Sequence, residues 1–263
     1  MKTALKLVFI YYGMQILSAV LLLIPCYIYI WINKLDLALA DQMVTSPSLL
    51  VSILFMSYYL WKKGYIQTDR RNWSTVSPSY LALTAIVTFS GIWLLDLLMS
   101  VLQIPDLLKE SFDLMQAGWV GIIAISLLGP ILEELLFRGA ITKVLLEKYS
   151  PFKAIVISGL IFGIFHLNPA QIVGAGLIGL LLAWIYYRTR SLIPCILIHI
   201  INNSLSVYLS IHYPDTESLT SLIGKDHTLL ITVGSLLLFV GCLFMMYKKT
   251  NAQIWKKEEE ERR

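Results

Sequence analysis

Long apolar runs alternate along the chain with short polar segments. About 20 apolar residues in a helix cross roughly 30 Å of hydrocarbon, and runs of about that length recur from one end of the sequence to the other. The runs are continuous rather than alternating, which disfavours a β-barrel. We therefore expect an all-α polytopic membrane bundle. Eight spans are predicted, at residues 7–32, 47–61, 79–102, 117–146, 152–166, 170–187, 191–211 and 228–247.

The basic residues predict how this bundle is oriented. Under the eight-span scheme, 17 of the 21 Lys and Arg residues lie on one side, three lie on the other, and Arg138 lies within a span. Positively charged loops stay in the cytoplasm, so we expect both termini there. The first apolar run is too long for a signal peptide and is interpreted as an uncleaved anchor. We expect one membrane domain over 1–247 and a charged cytoplasmic tail over 248–263.

Composition excludes several classes of protein. Hydrophobic residues make up 57% of the chain and charged residues only 14%, and the mean hydropathy is +0.71, so a soluble domain is excluded. No basic patch interleaved with aromatic residues lies outside the spans, so nucleic acid is not an expected partner. Cys26, Cys195 and Cys242 lie in apolar segments without CxxC spacing and are interpreted as small buried hydrophobic residues.

The fourth span contains three charged residues in the stretch GPILEELLFRGA. Each costs roughly 2.5–3.5 kcal/mol at the centre of a membrane helix, or ~8 kcal/mol together before pairing, so they indicate a functional site. Glu134 and Arg138 are four residues apart, the favoured spacing for an ion pair. Glu133 points elsewhere on the helix, and a desolvated carboxylate without a partner can act as a general base. The alternative is a structural ion-pair cluster.

Two later spans carry further polar groups. Phe162 and His166 are four residues apart on the fifth span, and His199 and Asn203 are four apart on the seventh. Polar side chains on three helices are satisfied together only around a shared interior cavity. Glu133 and His166 suit the activation of a water molecule, while His199 and Asn203 suit donation to an oxyanion.

A zinc site is an open alternative, with Glu133, His166 and His199 as ligands. No HExxH motif is present, and no Cys pair accompanies the two His residues. We expect a mechanism that requires no cofactor.

The order EExxxR, FxxxH and HxxxN on successive spans resembles the CPBP intramembrane proteases, the CAAX-protease and bacteriocin-processing group also called Abi or Rce1-like. The resemblance covers about residues 117–210. It implies that Glu133 is the general base, Glu134 and Arg138 its support, Phe162 a residue that shapes the site, and His166 a water ligand. It also implies that His199 and Asn203 form the oxyanion hole.

The resemblance implies a multi-pass endopeptidase, expected in a bacterial cell membrane, that cleaves a membrane-associated protein or peptide substrate. Peptide maturation and bacteriocin self-immunity are both compatible roles. Two rivals stay open at this point: a non-catalytic membrane scaffold or immunity protein of the same fold, and a transporter that uses the buried charges as a proton relay. The oligomeric state is undetermined by the sequence.

Two further features lead to structural expectations. The small residues Gly159 and Gly163, and the stretch 174–179 with three glycines, predict close helix packing. Counted at 1.5 Å per residue, His166 and His199 lie at different depths from the inner ends of their spans. Their meeting requires that the spans tilt or that the inner boundaries lie several residues away from those predicted.

Overall fold

The computed structural model describes residues 2–66, 72–216 and 218–250. These residues form ten helices, and the only β pairing among them is one bridge between Trp73 and Ser191. The helices are α1 (Lys2–Asn33), α2 (Leu39–Lys62), α3 (Pro78–Leu102), α4 (Lys109–Met115), α5 (Gly118–Leu146), α6 (Pro151–Ile164), α7 (Pro169–Thr189), α8 (Ile193–His212), α9 (Leu219–Ile223) and α10 (Lys225–Lys249). The fold is the polytopic helical bundle that the apolar runs predict.

Seven helices in the described part of the chain are long and apolar enough to cross a membrane, namely α1, α2, α3, α5, α7, α8 and α10. All eight predicted spans form helices, but α6 has only 14 residues. At 1.5 Å per residue it is about 21 Å long, short of the ~30 Å hydrocarbon layer. Seven of the eight predicted spans are therefore long enough to cross a membrane alone, and α6 is a shorter eighth apolar helix.

Some predicted boundaries also differ. Helix α2 begins at Leu39, eight residues before the predicted start, and Pro47 lies inside it. Asp41 in its first turn suits the positive end of the helix dipole, so the polar residues before the apolar run extend the helix. The tail at 248–263 lies mostly outside the described residues, which end at Thr250.

Helix α5 occupies the centre of the bundle. It contacts α1, α2, α6, α7 and α8, while α3 packs against α8 and α10. The N-terminal half of α1 packs on it through buried Ala4, Leu7 and Tyr11, which share one apolar cluster with Leu132 and Phe137 of α5. The charged stretch therefore lies in the middle of the protein, away from lipid.

Helices α6 and α7 cross closely, as their glycines predict. A Cβ atom added to Gly163 would lie 2.5 Å from the Ile172 carbonyl oxygen, and one added to Gly159 would lie 2.6 Å from a Leu180 methyl carbon. A Cβ on Gly179 would lie 2.9 Å from the Phe162 ring. Larger side chains would therefore separate these two helices and displace Phe162.

Helix α5 is irregular just before its charged residues, next to Gly129 and Pro130. The helix widens into a π turn over Ala124–Leu128, where the Gly129 N–H donates to the Ala124 carbonyl five residues earlier. That shift frees the Ile125 carbonyl, and Pro130 has no N–H to offer Ser126. Such carbonyls need partners inside a membrane, and here α8 supplies them.

Candidate active site

The predicted ion pair forms at the centre of the bundle. Arg138 Nη1 donates to Glu134 Oε1 at 2.7 Å, and both side chains are fully buried. Arg138 Nη2 donates to the Gly179 carbonyl at 3.1 Å, and the guanidinium lies over the Phe162 ring, 4.4 Å from its centroid. A buried Arg is thus neutralised by a carboxylate and held between α5, α6 and α7.

His199 completes this cluster from α8. Its Nδ1 lies 2.8 Å from Glu134 Oε1. A carboxylate accepts hydrogen bonds, so Nδ1 carries the proton and donates. The side chain of Glu134 therefore orients both Arg138 and His199, and it turns His199 Nε2 towards Glu133.

Glu133 has a different environment from its neighbour. Its Oε2 is buried and accepts no hydrogen bond from a described residue, although the side chain as a whole is 15% exposed. The Nε2 atoms of His199 and His166 lie 3.8 Å and 3.9 Å from this oxygen. These separations are too long for direct hydrogen bonds but suit a small molecule bridging the three groups. Glu133 is the carboxylate without a charged partner on its own helix, as its spacing predicts.

The backbone of α6 fixes the tautomer of His166. The His166 N–H donates to Gly163 rather than to the residue four earlier, which leaves the Phe162 carbonyl free. His166 Nδ1 lies 2.8 Å from that carbonyl, and a carbonyl only accepts, so Nδ1 is the donor. In neutral His166 the lone pair on Nε2 therefore faces Glu133. Glu133 Oε2 and His166 Nε2 are thus two acceptors facing the same space. A water molecule placed between them can donate one O–H to each.

Asn203 lies one turn beyond His199 on α8, but its amide is engaged elsewhere. Its Nδ2 donates to the freed Ile125 carbonyl at 3.2 Å, and Ser204 lies 3.5 Å from the neighbouring Ser126 carbonyl. Asn203 therefore fastens α8 to the π turn of α5. The sequence does not predict this contact, because the Ile125 carbonyl is free only where α5 widens into its π turn.

Aromatic rings wall the site. Phe162 contacts both imidazoles edge-to-face, with centroids 5.0 Å from His166 and 5.7 Å from His199. Its role in shaping the site stays a prediction. Phe165 belongs to none of the three motifs, yet it packs against Phe137 and His166. The Gly179 carbonyl is a second contributor that the sequence analysis missed, since no pattern marks a backbone acceptor.

Glu133 and His199 meet although they lie at different distances from the neighbouring ends of their helices. Glu133 lies about 20 Å from the end of α5, whereas His199 lies about 9 Å from the start of α8, yet their side chains meet. Helix α8 therefore begins within the bundle. Residues 72–73 reach in to cover that end: the Asn72 carbonyl accepts from the Leu192 N–H, and Trp73 bridges to Ser191. The helix begins at Ile193, two residues after the predicted start of the seventh span.

The zinc hypothesis names Glu133, His166 and His199. Their candidate ligand atoms are Glu133 Oε2 and the two Nε2 atoms. Within the described residues, no group of three or more His, Cys, Asp or Glu is disposed to hold a metal ion. With ligand bonds near 2.1 Å, tetrahedral zinc brings its ligand atoms to roughly 3.4 Å from one another, closer than the separations around Glu133. The side chains would have to close in before they fitted a metal.

The part of the chain that carries this site matches known proteins. Residues 115–205 match the family described as Type II CAAX prenyl endopeptidase Rce1-like, a range that contains all three motifs. The chain is 36% identical over 103 residues to the Bacillus subtilis (strain 168) protein named "Putative membrane peptidase YdiL", covering 39% of this chain and 42% of that relative. The match thus spans less than half the length of that relative.

No solved structure matches the chain. The family match and the relative confirm the resemblance to the CPBP intramembrane proteases and support a multi-pass membrane protease.

Proposed function

We propose that this protein is an intramembrane endopeptidase in which Glu133 activates a water molecule. The observation that carries the proposal is the convergence of one unpaired carboxylate oxygen on α5 and two imidazole nitrogens, one on α8 and one in the turn after α6, within 3.9 Å. A structural ion-pair cluster is served by Glu134 and Arg138 alone and has no use for a second carboxylate. Polar groups that meet inside a membrane bundle mark a site of function.

The reaction follows from the acceptors that line the site. Water bound between Glu133 and His166 Nε2 loses a proton to Glu133, and its oxygen attacks the carbonyl carbon of the scissile peptide. The tetrahedral oxyanion then collapses as the carbon–nitrogen bond breaks. Glu133 returns the proton to the leaving amine. No protein nucleophile is consumed.

His199 is placed to stabilise the developing charge. Donation from Nε2 requires the imidazolium form, and Glu134 supports that form by accepting from Nδ1. The positive charge of Arg138 lies one residue further along the same network. Asn203 Nδ2 donates one N–H to the Ile125 carbonyl, and its second N–H is the donor that we propose for the oxyanion.

The proposed substrate is a peptide segment held in or beside the membrane. Peptide maturation and bacteriocin self-immunity are the biological roles that we propose for such cleavage, in a bacterial cell membrane. A cofactor is not part of the proposed reaction. Zinc bound by Glu133, His166 and His199 is the alternative that chelation tests.

The test compares cells that carry wild-type protein, Glu133→Gln or Glu110→Gln at matched membrane levels. Glu110 is an exposed carboxylate on α4 and controls for loss of a negative charge. Mass spectrometry of membrane and secreted peptides is expected to show products that vanish in Glu133→Gln, persist in Glu110→Gln, and survive a membrane-permeable zinc chelator.

Identical peptidomes in the two variants would contradict the assignment. They would favour a non-catalytic scaffold or immunity protein, or a transporter. Loss of the products on chelation alone would favour the zinc mechanism.

A further inference from the structure

Helix α1 lies outside the matched region 115–205, yet it reaches the site. Tyr11 and Tyr12 pack against Phe165, with ring centroids at 4.7 Å and 5.5 Å. Tyr11 is buried, and Phe165 in turn packs against the His166 ring. A helix that carries no motif therefore packs against the aromatic wall of the site.

The backbone at the end of α6 needs a donor that the local chain does not supply. Helix α6 ends at Ile164, and the residue four positions after Phe165 is Pro169, which has no N–H. Leu167 adopts a left-handed conformation with φ of 57°, so the chain turns sharply here. The Phe165 carbonyl consequently has no backbone N–H partner in this turn. A carbonyl without a hydrogen-bond donor is costly inside a membrane.

Tyr12 supplies that donor. Its hydroxyl donates to the Phe165 carbonyl, across 153 residues of sequence. The peptide unit that it fixes is the one joining Phe165 to His166. The His166 ring is held on its other side by Nδ1 donating to the Phe162 carbonyl, so the two contacts together determine where Nε2 points.

We propose that Tyr12 is a positioning residue for His166: its hydroxyl holds the turn after α6 so that His166 Nε2 faces Glu133. The inference deepens the proposed hydrolytic function and rests on it for its effect on rate. Tyr12 does not touch the reacting atoms; it acts through the Phe165 carbonyl.

The first arm of the experiment measures cleavage. Tyr12→Phe keeps the ring that packs on Phe165 and removes only the hydroxyl, and Tyr27→Phe, at an exposed position on the same helix, is the matched control. The probe is a synthetic peptide spanning the cleavage site found in cells, added to purified protein in lipid nanodiscs. We expect kcat of Tyr12→Phe to fall about tenfold, with KM within about twofold, since a displaced group slows chemistry more than binding.

The second arm does not need a substrate. Nitrogen-15 NMR of histidine-labelled protein, with the His166 signal assigned by its loss in His166→Gln, is expected to show a shifted His166 signal in Tyr12→Phe and an unchanged one in Tyr27→Phe. The signals of His199 are expected to stay in place in both variants.

An unchanged His166 signal in folded Tyr12→Phe would overturn the inference, whatever happens to kcat. An unchanged kcat in an enzyme that Glu133→Gln inactivates would overturn it too. If Glu133→Gln leaves cleavage intact, the proposed function fails, while the His166 signal still decides the role of Tyr12.

Discussion

Adjacent glutamates in α5 have opposite environments. Glu134 is fully buried and accepts from Arg138 and His199, whereas Glu133 Oε2 accepts from no described group and faces two imidazoles. A paired carboxylate is committed to structure, and an unpaired one is available to take a proton from water. One residue step along a helix therefore separates the supporting charge from the proposed base.

The buried pair leads to a prediction about stability. Arg138→Met leaves Glu134 charged without its partner, and removal of one member of a buried pair costs about 3–5 kcal/mol. The double variant Arg138→Met/Glu134→Gln retains an acceptor for His199 and removes the stranded charge, so we expect it to be more stable than the single variant. Denaturant unfolding in detergent measures both, and a double variant no more stable than Arg138→Met would contradict this account of the pair.

Prediction at the residue scale succeeds where contacts are local. The spacing of Glu134 and Arg138 determines their pairing, because residues four apart share a helix face. The partner of Asn203 is not predictable in this way, since the Ile125 carbonyl becomes available only through the π turn. The contact of Tyr12 with Phe165 is not predictable either, because hydrophobic periodicity does not show which distant helices pack against each other.

At the scale of elements, the site depends on two irregular features. The π turn and Pro130 of α5 leave carbonyls that α8 satisfies, which holds the helix of His199 against the helix of Glu133. The glycines of α6 and α7 let those helices approach until the Gly179 carbonyl reaches Arg138. The glycines in the sequence predict the close approach of α6 and α7, but not the partners that this approach and the π turn bring together.

Gly163→Ala tests the crossing of α6 and α7. The added methyl would overlap the Ile172 carbonyl, and such overpacking typically costs about 1–3 kcal/mol. Gly234→Ala on α10 is the control, because a Cβ there meets nothing within 4 Å and alanine favours a helix. Thermal unfolding in nanodiscs is expected to show a lower midpoint for Gly163→Ala and an equal or higher one for Gly234→Ala; equal midpoints for Gly163→Ala and wild type would contradict the packing.

At the scale of the whole molecule, α6 is the one predicted span that is too short to cross alone. Its one charged residue, Lys153, lies in its first turn. Buried Asn168, in the turn after it, donates to Asp106 and accepts from the Leu107 N–H. The loop after α3 therefore packs against this turn. Apolar runs predict that a helix is present, but contacts with neighbouring loops determine where it ends.

The orientation of the bundle stays a prediction. If the α6–α7 hairpin enters and leaves on one side, as the distribution of Lys and Arg requires, both termini lie in the cytoplasm. Reporter domains fused separately to each terminus are expected to be active only inside the cell. Termini on opposite sides would show that α6 and α7 together make a single passage.

The most direct measurement is hydrolysis of the cell-derived peptide by purified protein in nanodiscs, with Glu133→Gln beside wild type and equal unfolding midpoints as the check on folding. The account predicts that wild type cleaves the peptide and that the new carboxyl terminus contains one oxygen-18 atom from labelled water. It also predicts a rate at least about 100-fold lower for Glu133→Gln, since general-base catalysis contributes about 10²–10⁴-fold. A folded Glu133→Gln protein that cleaves at the wild-type rate would contradict the central claim.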